Sequence, residues 1–174
     1  MKAEDIISID EFGVYPNLVR EYGRSPVGER AYGQRPLKKG KRFSTVGALT
    51  VNGLEEGFTF EGSMNEEKFL YFIEEYLVPI LRPGHIVLLD NLTCHYADDV
   101  QEAIVRTGAT VEYIPRYSPE FNPIEECWSK VKNFLRKAAA WTNEELYQAI
   151  SEAFESVTPD DALGWIVHAG YCSN

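Results

Sequence analysis

Hydrophobic and polar positions alternate along this chain with two different periods. Ile6-Ile7-Ser8-Ile9-Asp10 is a β-branched, largely apolar run that predicts a strand with an acid near its end. Residues 14 to 42 lose that pattern; Gly, Pro, Tyr and Arg recur and predict turns with short hairpin strands among them. Phe43 to Val51 predicts a second strand, Asn52-Gly53 a tight hairpin turn and Leu54 to Phe60 the antiparallel partner. The first third is therefore a meander. Behind Ser63 and Glu66, spaced as a capping box, Phe69, Leu70, Phe72, Ile73, Tyr76 and Leu77 fall at helical spacing. Pro79 and Arg82-Pro83-Gly84 close that helix.

Ile86-Val87-Leu88-Leu89 is an unbroken apolar run, the pattern of a strand buried on both faces, and it ends in Asp90. A helix around Tyr96 to Arg106 stops at Gly108, and Val111-Glu112-Tyr113-Ile114 is the next strand, ended by Pro115. After the loop Arg116 to Phe121, Asn122-Pro123 starts a helix as cap and first-turn proline. Ile124, Trp128, Val131, Leu135 and Ala138 then recur at steps of four, three, four and three. Thr142 and Glu145 form another capping box, ahead of the stripe Leu146, Ala149, Ile150, Ala153, Phe154 and Val157. Strands alternating with helices imply parallel pairing with right-handed crossovers. The expected fold is α/β and ribonuclease-H-like: a mixed five-stranded sheet, antiparallel meander plus parallel strands, flanked by helices, in one domain over residues 1–174.

Composition narrows the class. No apolar run reaches transmembrane length, and Met1-Lys2 leads into an acidic stretch rather than a signal peptide. Cys94, Cys127 and Cys172 are odd in number and lack paired zinc spacing, so they are expected as reduced thiols in a cytoplasmic protein. The net charge of −10 is unusual for a protein that handles DNA, but its distribution is uneven. Arg24, Arg30, Arg35, Lys38, Lys39, Lys41 and Arg42 face the single acid Glu29 in one short segment, a local +6. Such a segment is either a solvated loop or a basic arm that lies along a phosphate backbone.

Three acids stand where this order of elements would gather them: Asp10 on the first strand, Asp90 at the end of the most apolar strand, and Glu125 in the first turn of the Asn122-Pro123 helix. Converging carboxylates repel unless a cation intervenes, and hard oxygen ligands favour Mg²⁺ or Mn²⁺ over zinc. Two ions roughly 3.5–4 Å apart serve in-line displacement at phosphorus. Asp10 would bridge them, with Asp90 and Glu125 each holding one. Helix first turns favour acids through the dipole alone, and helical spacing leaves Glu125 and Glu126 undistinguished. Asp10 and Glu11 point to opposite strand faces, so one of them alone can join the cleft.

Ile9-Asp10-Glu11, Leu89-Asp90-Asn91 with His95, and the block Ser118-Pro119-Glu120-Phe121-Asn122-Pro123-Ile124-Glu125-Glu126-Cys127-Trp128 resemble the three signature blocks of Tc/mariner-type transposases. The bacterial insertion-sequence branch of these DDE enzymes is the nearest in pattern. The 34 residues between Asp90 and Glu125 are the spacing that superfamily commonly uses. The resemblance spans nearly the whole chain, including Tyr32-Gly33 and Lys39-Gly40-Lys41-Arg42. It implies Glu125 rather than Glu126, metal-dependent cleavage and strand transfer at transposon ends, and a dimer or higher oligomer on DNA. Full-length members carry a helix-turn-helix region before the catalytic domain, whereas this chain starts almost at the first catalytic strand. The expectation is a catalytic domain without that region: a truncation, a split-frame product or a decayed copy.

Weaker candidates surround the acids. Asn91 would support a metal-bound water or cap the following helix, and His95 would touch the scissile phosphate, orient Asp90 or be structural. Arg35, Lys38, Lys39, Lys41, Arg42, Arg116 and Lys132 are the candidate DNA contacts, with Tyr117, Lys130, Arg136 and Lys137 near them. Trp128 belongs to the apolar stripe and is expected in the core. Two other readings stay open: another ribonuclease-H-like nuclease, or an inactive DNA-binding or oligomerisation remnant. The expected location is the bacterial cytoplasm, at the nucleoid, with no membrane partner.

Overall fold

The computed structural model describes residues 2–34, 40–90 and 98–172. Five strands form one sheet: β1 (Ile6–Val14), β2 (Phe43–Thr50), β3 (Gly53–Glu61), β4 (Ile86–Leu89) and β5 (Thr110–Tyr113), in the order β3-β2-β1-β4-β5. β1, β2 and β3 are antiparallel neighbours, while β1 with β4 and β4 with β5 run parallel. The hairpin and the two helical crossovers anticipated from the periodicity produce this mixed sheet.

Period-two alternation sorts the side chains between two cores. Ile7, Ile9, Val87 and Leu89 face α1 (Glu66–Phe72) and α2 (Asp98–Val105), packing on Phe69, Phe72, Val100 and Ile104. Phe12, Val14 and Leu49 face α3 (Pro123–Ala138) and α4 (Asn143–Glu155). On that same side Ile6, Leu88 and Ile114 meet Ile166 of α5 (Pro159–His168). The interior strand β2 is buried along its whole length because helices cover both its faces.

Four local expectations change. β1 continues to Val14, so Asp10 is in mid-strand: Phe12 and Val14 keep the alternation going, and the antiparallel ladder with β2 extends to Val14–Phe43. The cap of α1 is Asn65, which directly precedes the helix and accepts from Lys68 N at 3.0 Å; Ser63 lies too far upstream. Among the described residues between 15 and 42 there is no strand, so the hairpin strands anticipated there are not formed. Helix α5, not singled out from the sequence, starts with a capping box of Thr158 and Asp161 around Pro159. Cys127 is a buried thiol outside any disulfide, and Cys94 lies outside the described residues. Among the described residues no helix is long and apolar enough to cross a membrane.

Candidate active site

One face of β1 carries Ser8, Asp10 and Phe12 toward α3, since residues two apart on a strand share a face. Buried Ser8 donates a hydrogen bond through Oγ to Asn122 Oδ1. Four residues along the strand, the Phe12 ring packs on Trp128 with centroids 4.7 Å apart. Asn122 and Trp128 bracket Glu125, three residues from each, as Ser8 and Phe12 bracket Asp10. The first two turns of α3 therefore run alongside β1, and Glu125 overlooks Asp10. Asn122 occupies the cap position of α3 but makes no side-chain cap bond. Its side chain is diverted to Ser8, so about 1 kcal/mol of capping is exchanged for a tie between helix and strand. Glu126 points elsewhere, with Oε1 3.5 Å from His168 Nε2 on α5. Geometry thus separates the two glutamates that helical spacing left equivalent.

Asp90 joins the same face through sheet register. The last pair of the parallel ladder is Ser8 with Leu88, two residues before Asp10 and Asp90 respectively. Asp10 is buried, and burial pushes its carboxyl well above the usual range; the negative charges of Glu125, Glu11 and Asp90 push it in the same direction. Among the described residues, however, no three acidic, histidine or cysteine side chains are close enough together to grip a metal ion. The donor set, three hard carboxylates around a site that disfavours Asp10's own charge, fits a divalent cation such as Mg²⁺ or Mn²⁺.

A row of small residues lets the helices come this close. Asp10 is paired with Gly47 on β2, and Gly47 with Gly57 on β3. A Cβ on Gly47 would be 2.7 Å from Trp128 Cη2, and one on Gly57 2.1 Å from Phe154 Cε2. The glycines are required for space: α3 and α4 seat their aromatic rings directly on the backbone.

The sequence profile of the DDE superfamily endonucleases matches residues 5–147. The chain belongs to this family. All three acids fall inside the matched region. Comparison with curated proteins gives no match. Among solved structures, the Mos1 transposase paired-end complex with left transposon end is similar at TM-score 0.76 and 16% identity, over 97% of this chain and 53% of that one. The Mos1 mariner paired end complex with Mn gives 0.74 and 17%, over 98% and 54%. The catalytic domain of Mos1 mariner transposase gives 0.68 and 15%, over 96% and 78%. At these identities the likeness is one of fold, and the fold is ribonuclease-H-like. The chain spans about half the length of the Mos1 chains in those paired-end complexes.

The other candidate residues of this DDE endonuclease scatter. Asn91, His95, Arg35, Lys38 and Lys39 lie outside the described residues. Lys41 is exposed and ion-paired with Glu61 at 2.8 Å. Arg42 rests its guanidinium against Gly13, on the face of β1 opposite Asp10. Lys132, two turns beyond Glu125 on α3, holds its ammonium 5.5 Å above the Phe12 ring, next to the acids. Arg116 is exposed in the turn between β5 and α3. Lys130 is committed to structure, donating to Ser156 O and to Asp161 of α5. Trp128 is fully buried, as its place in the apolar stripe predicts. Sequence reasoning overlooked Ser8 and the glycine row. A serine within an apolar strand was the available signal for the first; for the second there was none, since cross-strand register is invisible in one sequence.

Proposed function

We propose that this DDE endonuclease is the catalytic domain of a transposase, which cuts phosphodiesters at transposon ends and joins the freed 3′-hydroxyl to target DNA. The proposal is supported by the β1–β4 register, which runs toward Asp10 and Asp90, and by the Ser8–Asn122 and Phe12–Trp128 contacts on either side of Asp10 and Glu125. Asp10, Asp90 and Glu125 would together hold the divalent cations. Cations held there would offset the carboxylate repulsion and supply Lewis-acid activation of the attacking oxygen and the leaving oxygen. The chain's own residues do the positioning. The buried Asp10 cannot swing into solvent, Asn122 fixes the start of α3, and Lys132 offers its ammonium to phosphate beside the acids. Arg116 supplies a second phosphate contact from the turn before α3.

The Mos1 assemblies of similar fold hold transposon DNA and Mn, which supports DNA and a divalent metal as the partners here. A dimer or larger oligomer on paired ends, at the nucleoid of a bacterial cell, belongs to the same proposal. The test is Mn²⁺-dependent nicking of supercoiled DNA by the whole chain, beside Asp10→Asn, Asp90→Asn and Glu125→Gln. Wild type should nick and each folded variant should lose at least about 100-fold, the scale of removing a catalytic electrostatic contact. Equal nicking by any of the three would remove that residue from the site. Joining of a labelled 3′-hydroxyl end to plasmid separates a transposase from a ribonuclease-H-like hydrolase that can only cut.

A further inference from the structure

Beside the acids, on the same face of the sheet, lies a cavity of about 430 Å³ that the proposed chemistry does not use. Its volume is within the ~300–1,000 Å³ range of small-ligand sites. Two of its walls are shared with the acidic site. Leu88 is two residues before Asp90 on β4, and Phe121 immediately precedes Asn122. Ile86, Ile114 and Pro115 make the floor apolar. Tyr171, beyond α5, closes one side by donating its hydroxyl to Phe121 O at 2.7 Å. Of the polar residues that line it, Tyr113 packs its ring with the core on the opposite face of the sheet, which leaves the Glu112 carboxylate and the Tyr171 phenol. With the Tyr171 proton already committed, both present acceptors only. Burial and the Glu112 charge also hold the Tyr171 hydroxyl above its usual range, so it stays protonated. In the turn that follows Pro115, Tyr117 is 99% exposed and adopts a left-handed backbone, φ 63°, next to exposed Arg116.

We infer that this cavity is a subsite for one unstacked nucleobase bearing an exocyclic amine, taken from the DNA strand lying across the acids. The inference rests on the DNA-cleaving function proposed above. A flat heteroaromatic ring matches an apolar slot with the Phe121 ring on its wall, and stacking on aromatic side chains accepts any base. Discrimination comes from the acceptors: the cytosine or adenine amine can donate to Glu112, whereas thymine has no exocyclic amine and flanks its single N3–H with two carbonyl oxygens that the carboxylate repels. Arg116, outside the cavity, is placed to hold the adjoining phosphate.

The test is fluorescence anisotropy of short labelled single strands of deoxycytidine, deoxyadenosine or thymidine, with Ca²⁺ present so that binding is read without cleavage. The whole chain, Phe121→Ala and Glu112→Gln are compared, each checked by thermal melting. Wild type should bind the amine-bearing strands at least about fivefold tighter than thymidine, the low end of a base-edge contact. Glu112→Gln should abolish that preference, because an amide can also donate. Phe121→Ala should weaken all strands about tenfold, as loss of one stacked base does. If wild type nicks plasmid and binds all three strands equally, the subsite is wrong and the nuclease reading stands. If it neither binds nor nicks, both fall. A dimer in sedimentation that Phe121→Ala dissociates would show the cavity covered by a second copy, which also overturns the inference.

Discussion

Replacing Gly47 with alanine tests the whole arrangement, because that position touches both the core and the site. The new Cβ would sit 2.7 Å from Trp128 Cη2 and 3.1 Å from Leu54 Cδ1. Carbon atoms in contact prefer about 3.5–4.0 Å, so the indole must recede by roughly 1 Å. It has little room to do so, being fully buried between Phe12 at 4.7 Å and Phe154 at 6.1 Å. Overpacking of this kind costs about 1–3 kcal/mol. The strain also reaches the site, since Trp128 is three residues beyond Glu125 on α3. A shift of ~1 Å in a catalytic group lowers rate on the order of 100-fold. Urea unfolding gives the first magnitude and Mn²⁺-dependent nicking the second. Gly164→Ala is the matched control: it is helical, with nothing within 4 Å of the added Cβ. It should stabilise by up to about 1 kcal/mol and leave nicking unchanged. A Gly47→Ala protein as stable and as active as wild type would refute the claim that the glycine row sets the approach of α3.

Two further outcomes follow from named contacts. Ser8→Ala leaves the buried Asn122 carbonyl without its donor, at a cost of about 1–3 kcal/mol, and nicking should fall because α3 loses its tie to β1; denaturant midpoints equal to wild type would show that the bond contributes nothing. Asp161 receives hydrogen bonds from Lys130 and Thr158, which hold its carboxyl down at about 2 against an ordinary 3.8. The folded value is the lower one, so the stabilisation is fully present above about pH 4 and is lost as pH falls through about 2. Both partners are about one-third exposed, which limits the loss in Asp161→Asn to on the order of 1 kcal/mol at pH 7. Unfolding followed from pH 7 to pH 2 should show the gap to wild type closing, and a gap that widens on acidification would contradict this assignment.

Much of the architecture is legible in the chain because it depends on local periodicity. The step from alternating to helical spacing after Glu61, the Asn52-Gly53 turn and the apolar run ending at Asp90 fix which elements form and in what order. Proline and capping residues mark the start of α3 and α4 by the same local chemistry. The candidate acids are legible as residue types in particular places, and the motif blocks bring the family within reach. Tertiary structure decides what depends on distance across the chain. The surroundings of Glu125 and Glu126 diverge because Asn122 turns to Ser8 while Glu126 turns to His168. Asp90 follows a strand end aligned with β1 because β1 and β4 pair in one register among several the pattern permits. The glycines opposite Asp10 acquire meaning when Trp128 and Phe154 rest on them. Periodicity is a property of neighbours within a few residues; register, helix approach and charge convergence arise where segments far apart in sequence are packed together.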